Sequence, residues 1–339
     1  MKRPTWQLAP RPSTRAFTRE ARRTPGYTFF DWLHGQVYAR WPYLYIGIGS
    51  GEHPLARRAR PLVARIDRLI QARAAQRQAA MAPPPHGDGD HHHAGFADTY
   101  HGKVVTLESA TRLVTVQQDI SLKNLEQVIP YALARDIVLQ DPEHIVVLDC
   151  PCRSARANPC LPLAVCLIVG EPFAGFVAEH HPRRSRWISP AEAVGILQAE
   201  QARGHVHHAF FKDAMLGRFY AICNCCACCC GAMQAQRNGV PMLASSGYVA
   251  RVDPSLCAGC GECEGRCQFR AIAVSCTGAA EVDGANCMGC GVCVAGCAHG
   301  ALALVRDPSK SEPLDLDVLL APHLEALSIG PARHPALVN

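Results

Sequence analysis

Apolar residues recur at helical spacing from Pro61 to Met81, where Leu62, Ile66, Leu69 and Ile70 stand among Arg and Gln. That pattern predicts one amphipathic helix, with Pro61 suited to its first position. Ser189-Pro190-Ala191-Glu192 predicts a second helix start: Ser as N-cap, Pro in the first turn, Glu three positions on, with Gly204 as the stop. Asn124 to Gln140 reads as a helix broken at Pro130. Short strands are expected at Lys103 to Thr106 and Leu113 to Val116. Buried strands are expected at Ile145 to Leu148 and Ala164 to Val169, which are continuously apolar.

Between these elements the pattern fails in informative places. Residues 1–25 are rich in Arg, Pro and Thr without a sustained period, and read as a flexible basic arm. Residues 26–53 are dense in aromatics (Tyr27, Phe29, Phe30, Trp32, Tyr38, Trp41, Tyr43, Tyr45). They read as a small core or a docking surface, and less readily as a platform for stacked bases. Ala82 to His93 (APPPHGDGDHHH) cannot hold regular structure, so 82–94 is a linker. Its His86 and His91 to His93 form a mobile tract without defined ligand geometry, metal capture being the alternative.

The resulting organisation is an arm over 1–25, an aromatic and helical region over 26–81, the linker, a domain over 95–248, a repeat over 249–306 and a tail over 307–339. The fold class is α+β. A larger α/β or α+β cysteine-rich domain precedes a small C-terminal one, behind a mostly helical basic N-terminal region.

Charge and composition narrow the function classes. The chain has 339 residues, and its 48% apolar content excludes wholesale disorder. Residues 1–80 hold 15 Lys+Arg against 4 Asp+Glu, while the rest holds 19 against 25. A basic stretch on an acidic body reads first as an arginine-rich solvated surface, with a nucleic-acid or anionic partner as the alternative. Arg22-Arg23 suggests twin-arginine export, but Pro25 and Asp31 interrupt the apolar stretch such a signal requires. Leu44 to Gly49, the most apolar N-terminal run, is far short of the ~20 residues of a membrane span. No membrane span or secretory signal is expected, so the sequence points to the reducing cytoplasm.

Cysteine changes the picture most. All 19 cysteines fall between Cys150 and Cys297. Near the end the chain repeats itself: Val252-Asp253 precedes Cys257-x2-Cys260-x2-Cys263-x3-Cys267, and 30 residues on Val282-Asp283 precedes Cys287-x2-Cys290-x2-Cys293-x3-Cys297. Ala271-Ile272-Ala273-Val274 echoes Ala301-Leu302-Ala303-Leu304. Zinc motifs pair two C-x2-C halves, and this triple run with a distant fourth cysteine suits one tetrahedral ion poorly. Residues 249–306 resemble the bacterial-type ferredoxin with two [4Fe-4S] clusters. The resemblance implies one cluster on Cys257, Cys260, Cys263 and Cys297, and the other on Cys287, Cys290, Cys293 and Cys267, each fourth cysteine starting a helix. Gly259, Gly261, Gly289 and Gly291 would let the backbone wrap the clusters closely. The sequence departs from the family's Cys-Pro ending at Gln268 and Ala298, which bears on packing and potential rather than on ligation. Cys276 falls outside the pattern and reads as a small buried filler.

Ten cysteines come earlier: Cys150 and Cys152 in Asp149-Cys150-Pro151-Cys152-Arg153, then Cys160, Cys166, and the run Cys223, Cys225, Cys226, Cys228, Cys229, Cys230. This part resembles the N-terminal portions of ferredoxin-fused bacterial proteins with C-x-C-R and C-N-C-C signatures, a likeness that brings no reaction with it. A third iron–sulfur centre is expected, with ligands drawn from Cys152, Cys160, Cys166 and the Cys223–Cys230 run, four at most for a single cubane. Zinc or a thiol-redox site is the alternative, and unligated thiols the third reading. Arg153 reads as a counter-charge to thiolates, an anion holder or a plain surface salt bridge. His205, His207 and His208 read as surface histidines at a helix end, with ligands or proton donors as the alternative. No dinucleotide, P-loop or serine-hydrolase motif appears.

The sequence thus predicts a cytoplasmic iron–sulfur electron-transfer protein that docks a redox partner through residues 1–80. One rival is a ferredoxin-wired oxidoreductase with its centre at the Cys150–Cys230 site. The other is a redox sensor that binds nucleic acid through the same basic residues.

Overall fold

Strands whose apolar residues point both ways must be covered on both faces, and that requirement organises the chain. The computed structural model describes residues 11–53, 55–56, 65, 68–69, 72, 96–276 and 278–321. The strands are β1 (Tyr100–Val105), β2 (Ile120–Leu122), β3 (Ile137–Asp149), β4 (Ala164–Glu171), β5 (Ser185–Ile188), β6 (Val206–Lys212), β7 (Arg218–Cys225) and β8 (Leu243–Ala244). They form one eight-stranded sheet in the order β2-β3-β4-β7-β6-β1-β8, with β5 also on β3. Neighbours are antiparallel except β1 and β8.

Alternation sorts the side chains into two layers. Val146, Leu148, Cys166, Ile168, Phe210 and Ala221 face one core. Ile145, Val147, Leu167, Val169, Ala209, Phe211 and Ile222 face the other. Helices α1 (Pro12–Arg23), α2 (Phe29–Arg40) and α3 (Pro42–Gly49) cover the first face. The second face is covered by α4 (Leu107–Thr115) and, after α5 (Phe173–His180) on the first, by α6 (Pro190–Ala202).

Several expectations are corrected here. Within the expected flexible arm, residues 12–23 form α1, because Phe17 is fully buried against the rings of Phe173 and Phe176, at 6.0 and 5.7 Å. The aromatic region is not a separate unit: Tyr38 and Ala39 enter the same core, and the Tyr38 and Tyr220 hydroxyls meet at 2.7 Å. Phe29, Phe30 and Trp41 stay exposed. Leu113 to Val116 is no strand. Thr106 accepts from the Ser109 N–H at 3.2 Å and caps α4, which buries Ala110, Leu113 and Val114 at one-turn spacing. Asn124 to Gln140 is no helix either. Asn124 and Ala134 sit at φ 58° and 54°, which a helix forbids, and Ile137 onward pairs with β2. The tail is partly core, with Leu314 and Leu316 buried in the second layer.

Ser189 caps α6 as expected, accepting from the Glu192 N–H at 3.2 Å, and Gly204 follows at φ 84°. The 61–81 helix lies largely, and the 82–94 linker with its histidines entirely, outside the described residues. Among the described residues no helix is long and apolar enough to cross a membrane.

Residues 248–306 fold as two interleaved halves. Strand β9 (Tyr248–Val252) pairs antiparallel with β12 (Leu302–Arg306), and β10 (Ile272–Val274) with β11 (Ala280–Val282). The repeat noted in sequence is therefore split between two hairpin-like pairs, with β10 and β12 carrying the echoed Ala-Ile-Ala-Val and Ala-Leu-Ala-Leu.

Phe17→Ala should cost about 3–5 kcal/mol in denaturant unfolding, the usual range for emptying a buried phenylalanine site. A change below about 1 kcal/mol would show that α1 does not dock on the sheet.

Candidate metal centres

The C-terminal cysteines gather around two cavities. Cys257, Cys260, Cys263 and Cys297 line one of about 20 Å³; Cys267, Cys287, Cys290 and Cys293 line another of about 20 Å³. Each set takes three cysteines from one repeat and the fourth from the other. The fourth cysteines end helical turns rather than start them: Cys267 follows Glu262–Arg266, and Cys297 follows Val292–Ala295 and Gly296. Cys276 is exposed, not a buried filler.

Backbone geometry serves the sulfurs. Ala280 N–H donates to Cys257 Sγ at 3.4 Å, and Ala250 N–H, 30 residues earlier, donates to Cys287 Sγ at 3.4 Å; Ala271 N–H reaches Cys267 Sγ at 3.2 Å. The bonds from Ala280 and Gly259 hold the Cys257 thiol below its ordinary pKa. Burial pushes Cys290 and Cys293 up to about 12. The first pocket is thus the open one, with Cys260 exposed, and the second is closed against the rest of the protein. Gly289, at φ 65°, cannot carry a side chain, since a Cβ would strike the Tyr248 carbonyl and the Ser246 hydroxyl.

The closed pocket abuts the large sheet. Val292 packs with Val104 and Val206, and Met288 and Cys290 join them. Gln268, which replaces the family's proline, spans this seam: its Nε2 donates to Gly204 O at 3.0 Å and its Oε1 accepts from Ala227 N–H at 2.8 Å. Proline could do neither. Ala298, at the equivalent place in the second repeat, is exposed and has no such seam to span.

The upstream cysteines, expected as one site, are divided into two. Cys160, Cys226, Cys228 and Cys229 bring their sulfurs within 4.8 Å of one another. Cys228 Sγ lies 3.2 Å from Cys160, 3.3 Å from Cys226 and 3.7 Å from Cys229. Around a tetrahedral ion with bonds of about 2.3 Å, sulfurs stand about 3.8 Å apart, whereas a cubane binds each thiolate to a different iron and spreads them wider. The tetrad therefore fits one ion. Burial raises Cys160 to about 11. For Cys228 burial also acts upward, but contacts with the other three thiols outweigh it and leave the thiol lowered. Gln234 Nε2 donates to Cys228 O at 2.9 Å and Arg156 to Cys229 O at 3.2 Å, which fixes the loop.

Cys152, Cys166, Cys223, Cys225 and Cys230 lie, with Cys150, on the first face of the sheet, around a cavity that Cys226 and Cys229 of the tetrad also line. Strand alternation separates them: Cys223 and Cys225 point to one side of β7, and the chain turns away at Cys226.

Arg153 is neither a surface pair nor an anion holder. It is buried, and its guanidinium donates to Glu200 Oε2 at 2.6 Å and to Asn224 O at 3.0 Å. His205, His207 and His208 are not surface groups at a helix end but buried residues at the start of β6. His205 Nδ1 meets Glu200 at 2.6 Å, and His207 Nδ1 meets Asn224 Oδ1 at 2.6 Å. Burial lowers His207 to about 4 and His208 to about 3, so both are neutral at physiological pH. His208 lies in register with Cys223, a proximity that its chain position does not reveal.

Among known families, residues 250–273, the first of the two repeats, match the 4Fe-4S binding domain. No curated protein and no solved structure matches the chain.

Gln268→Leu removes both seam bonds and leaves the Ala227 N–H and the Gly204 carbonyl without this partner. It should cost about 1–3 kcal/mol in unfolding. A neutral effect would mean that the seam is held by apolar contacts alone.

Proposed function

We propose that the protein is an iron–sulfur electron carrier whose C-terminal unit holds two [4Fe-4S] clusters and whose Cys160, Cys226, Cys228 and Cys229 hold a single tetrahedral ion, zinc being the best fit. The family match indicates iron–sulfur binding and electron transfer for this segment. The observation that carries the finer reading is the sorting of eight cysteines into two sets of four around two cavities of nearly equal size. Cys257, Cys260, Cys263 and Cys297 are the ligands of the open pocket, and Cys267, Cys287, Cys290 and Cys293 of the closed one.

A cluster in such a pocket supplies one-electron transfer at low potential. The chain's own residues do the rest. The N–H groups of Ala250, Ala271 and Ala280 favour charged sulfur, and Val292, Met288 and Phe269 keep water from the closed pocket. A partner protein docks at the rim by exposed Cys260, where a cluster comes nearest the surface. Residues 1–80 are a poorer entry than the sequence suggests, because the described part of them is used to cover the sheet. The tetrad, tied to the seam through Ala227 and Gln268, holds the two units in register rather than passing electrons.

Anaerobically purified protein should lose about four irons and four sulfides per chain on Cys263→Ser, and a further four on adding Cys293→Ser. Cys228→Ser should remove about one zinc and leave both losses unchanged. Fewer than about eight irons and eight sulfides in the parent chain would overturn the two-cluster reading. Iron and sulfide lost with Cys228→Ser would replace the single ion by a cluster.

A further inference from the structure

Six of the ten upstream thiols remain: Cys150, Cys152, Cys166, Cys223, Cys225 and Cys230. All six line one cavity of about 70 Å³, whose wall also takes in Cys226 and Cys229 of the tetrad. They come from three stretches of the chain: the turn after β3 (Cys150, Cys152), β4 (Cys166), and β7 with the entry to the helix Gly231–Arg237 (Cys223, Cys225, Cys230). Cys166 and Cys223 are register neighbours on adjacent strands.

Thiols that merely filled a core would leave no void beside them, since interiors are packed close to crystal density. Here a void of about 70 Å³ remains, against about 20 Å³ in each ferredoxin pocket. All six are free thiols, not disulfides. The rest of the wall is mostly apolar and aromatic, with Tyr38, Tyr100, Tyr220 and Phe210 and no carboxylate, which suits a soft, sulfur-bound centre and not a hard cation. One ion takes four thiolates at most in the tetrahedral sites that cysteine prefers, and six spread around a void exceed it.

We infer that this cavity is an iron–sulfur cluster site, held by Cys150, Cys152, Cys166, Cys223, Cys225 and Cys230, which borders the tetrad through Cys226 and Cys229 and lies apart from both ferredoxin pockets. Its position is functional. Phe269 and Met288, which line the closed ferredoxin pocket, also pack against the core containing these thiols. The site stands whatever the ferredoxin pockets contain.

The test is iron, acid-labile sulfide and zinc per chain on the anaerobic full-length protein, compared among the parent, Cys166→Ser with Cys223→Ser, Cys228→Ser, and Cys263→Ser. The inference expects the Cys166/Cys223 pair to lose at least four irons with matching sulfide and to keep its zinc. Cys228→Ser should lose none of that iron, and Cys263→Ser should lose a separate set. Loss of zinc without sulfide from the Cys166/Cys223 pair, or no metal loss at all, would overturn it. Should that variant fail to fold, Cys263→Ser with Cys293→Ser decides: about four sulfides per chain that remain there and survive adding Cys228→Ser support the site, and none remaining overturns it.

Discussion

Alternation along β7 is the constraint on which the rest depends. Cys223 and Cys225 face one side of the strand, while Ile222 and Asn224 face the other. With both sides covered, the sheet has one face given to thiols and tyrosines and one to an ordinary aliphatic core. A slip of one residue would turn the sulfurs into the aliphatic layer and break the match of Cys166 with Cys223.

Holding that register takes polar work on the opposite side. Asn224 receives His207 and donates to Val165 O at 2.7 Å, so a single side chain ties β6, β7 and β4 together. Arg153 joins the same network through the Asn224 carbonyl and pins the turn carrying Cys152 to Glu200 on α6. Glu200 stays below its ordinary pKa. Burial acts against its charge, but the bonds from His205 and Arg153 outweigh it. A buried ion pair of this kind contributes little net stability, yet losing one partner strands the other charge. Its value here is positional: it fixes where the cysteine-bearing turn sits.

The seam to the ferredoxin-like unit follows the same economy. Gln268 gives up the conformational restriction of proline and gains two hydrogen bonds across the boundary. The open pocket is left toward solvent and the closed one against the sheet, so two copies of one sequence repeat occupy different environments. Burial lifts Cys290 and Cys293, while N–H donors lower Cys257. That contrast is set by docking, not by the repeat.

Much of this was legible in the chain. The spacing of Cys257 to Cys297 and the echoed strands depend on local turn geometry, and the cap at Ser189 on bonds within four residues, so one sequence carries them. The apolar residues of Leu113 to Val116 and Asn124 to Gln140 fit either period, so their structure is decided by the sheet they pack on. The same is true of the arm, since nothing local in residues 12–23 announces that Phe17 has a pocket between Phe173 and Phe176. Above all, the sequence by itself determined that ten cysteines crowd into residues 150–230. Only the tertiary structure decided which of them meet, gathering Cys160, Cys226, Cys228 and Cys229 into a tetrad, because that depends on which strands become neighbours and which way each side chain then points.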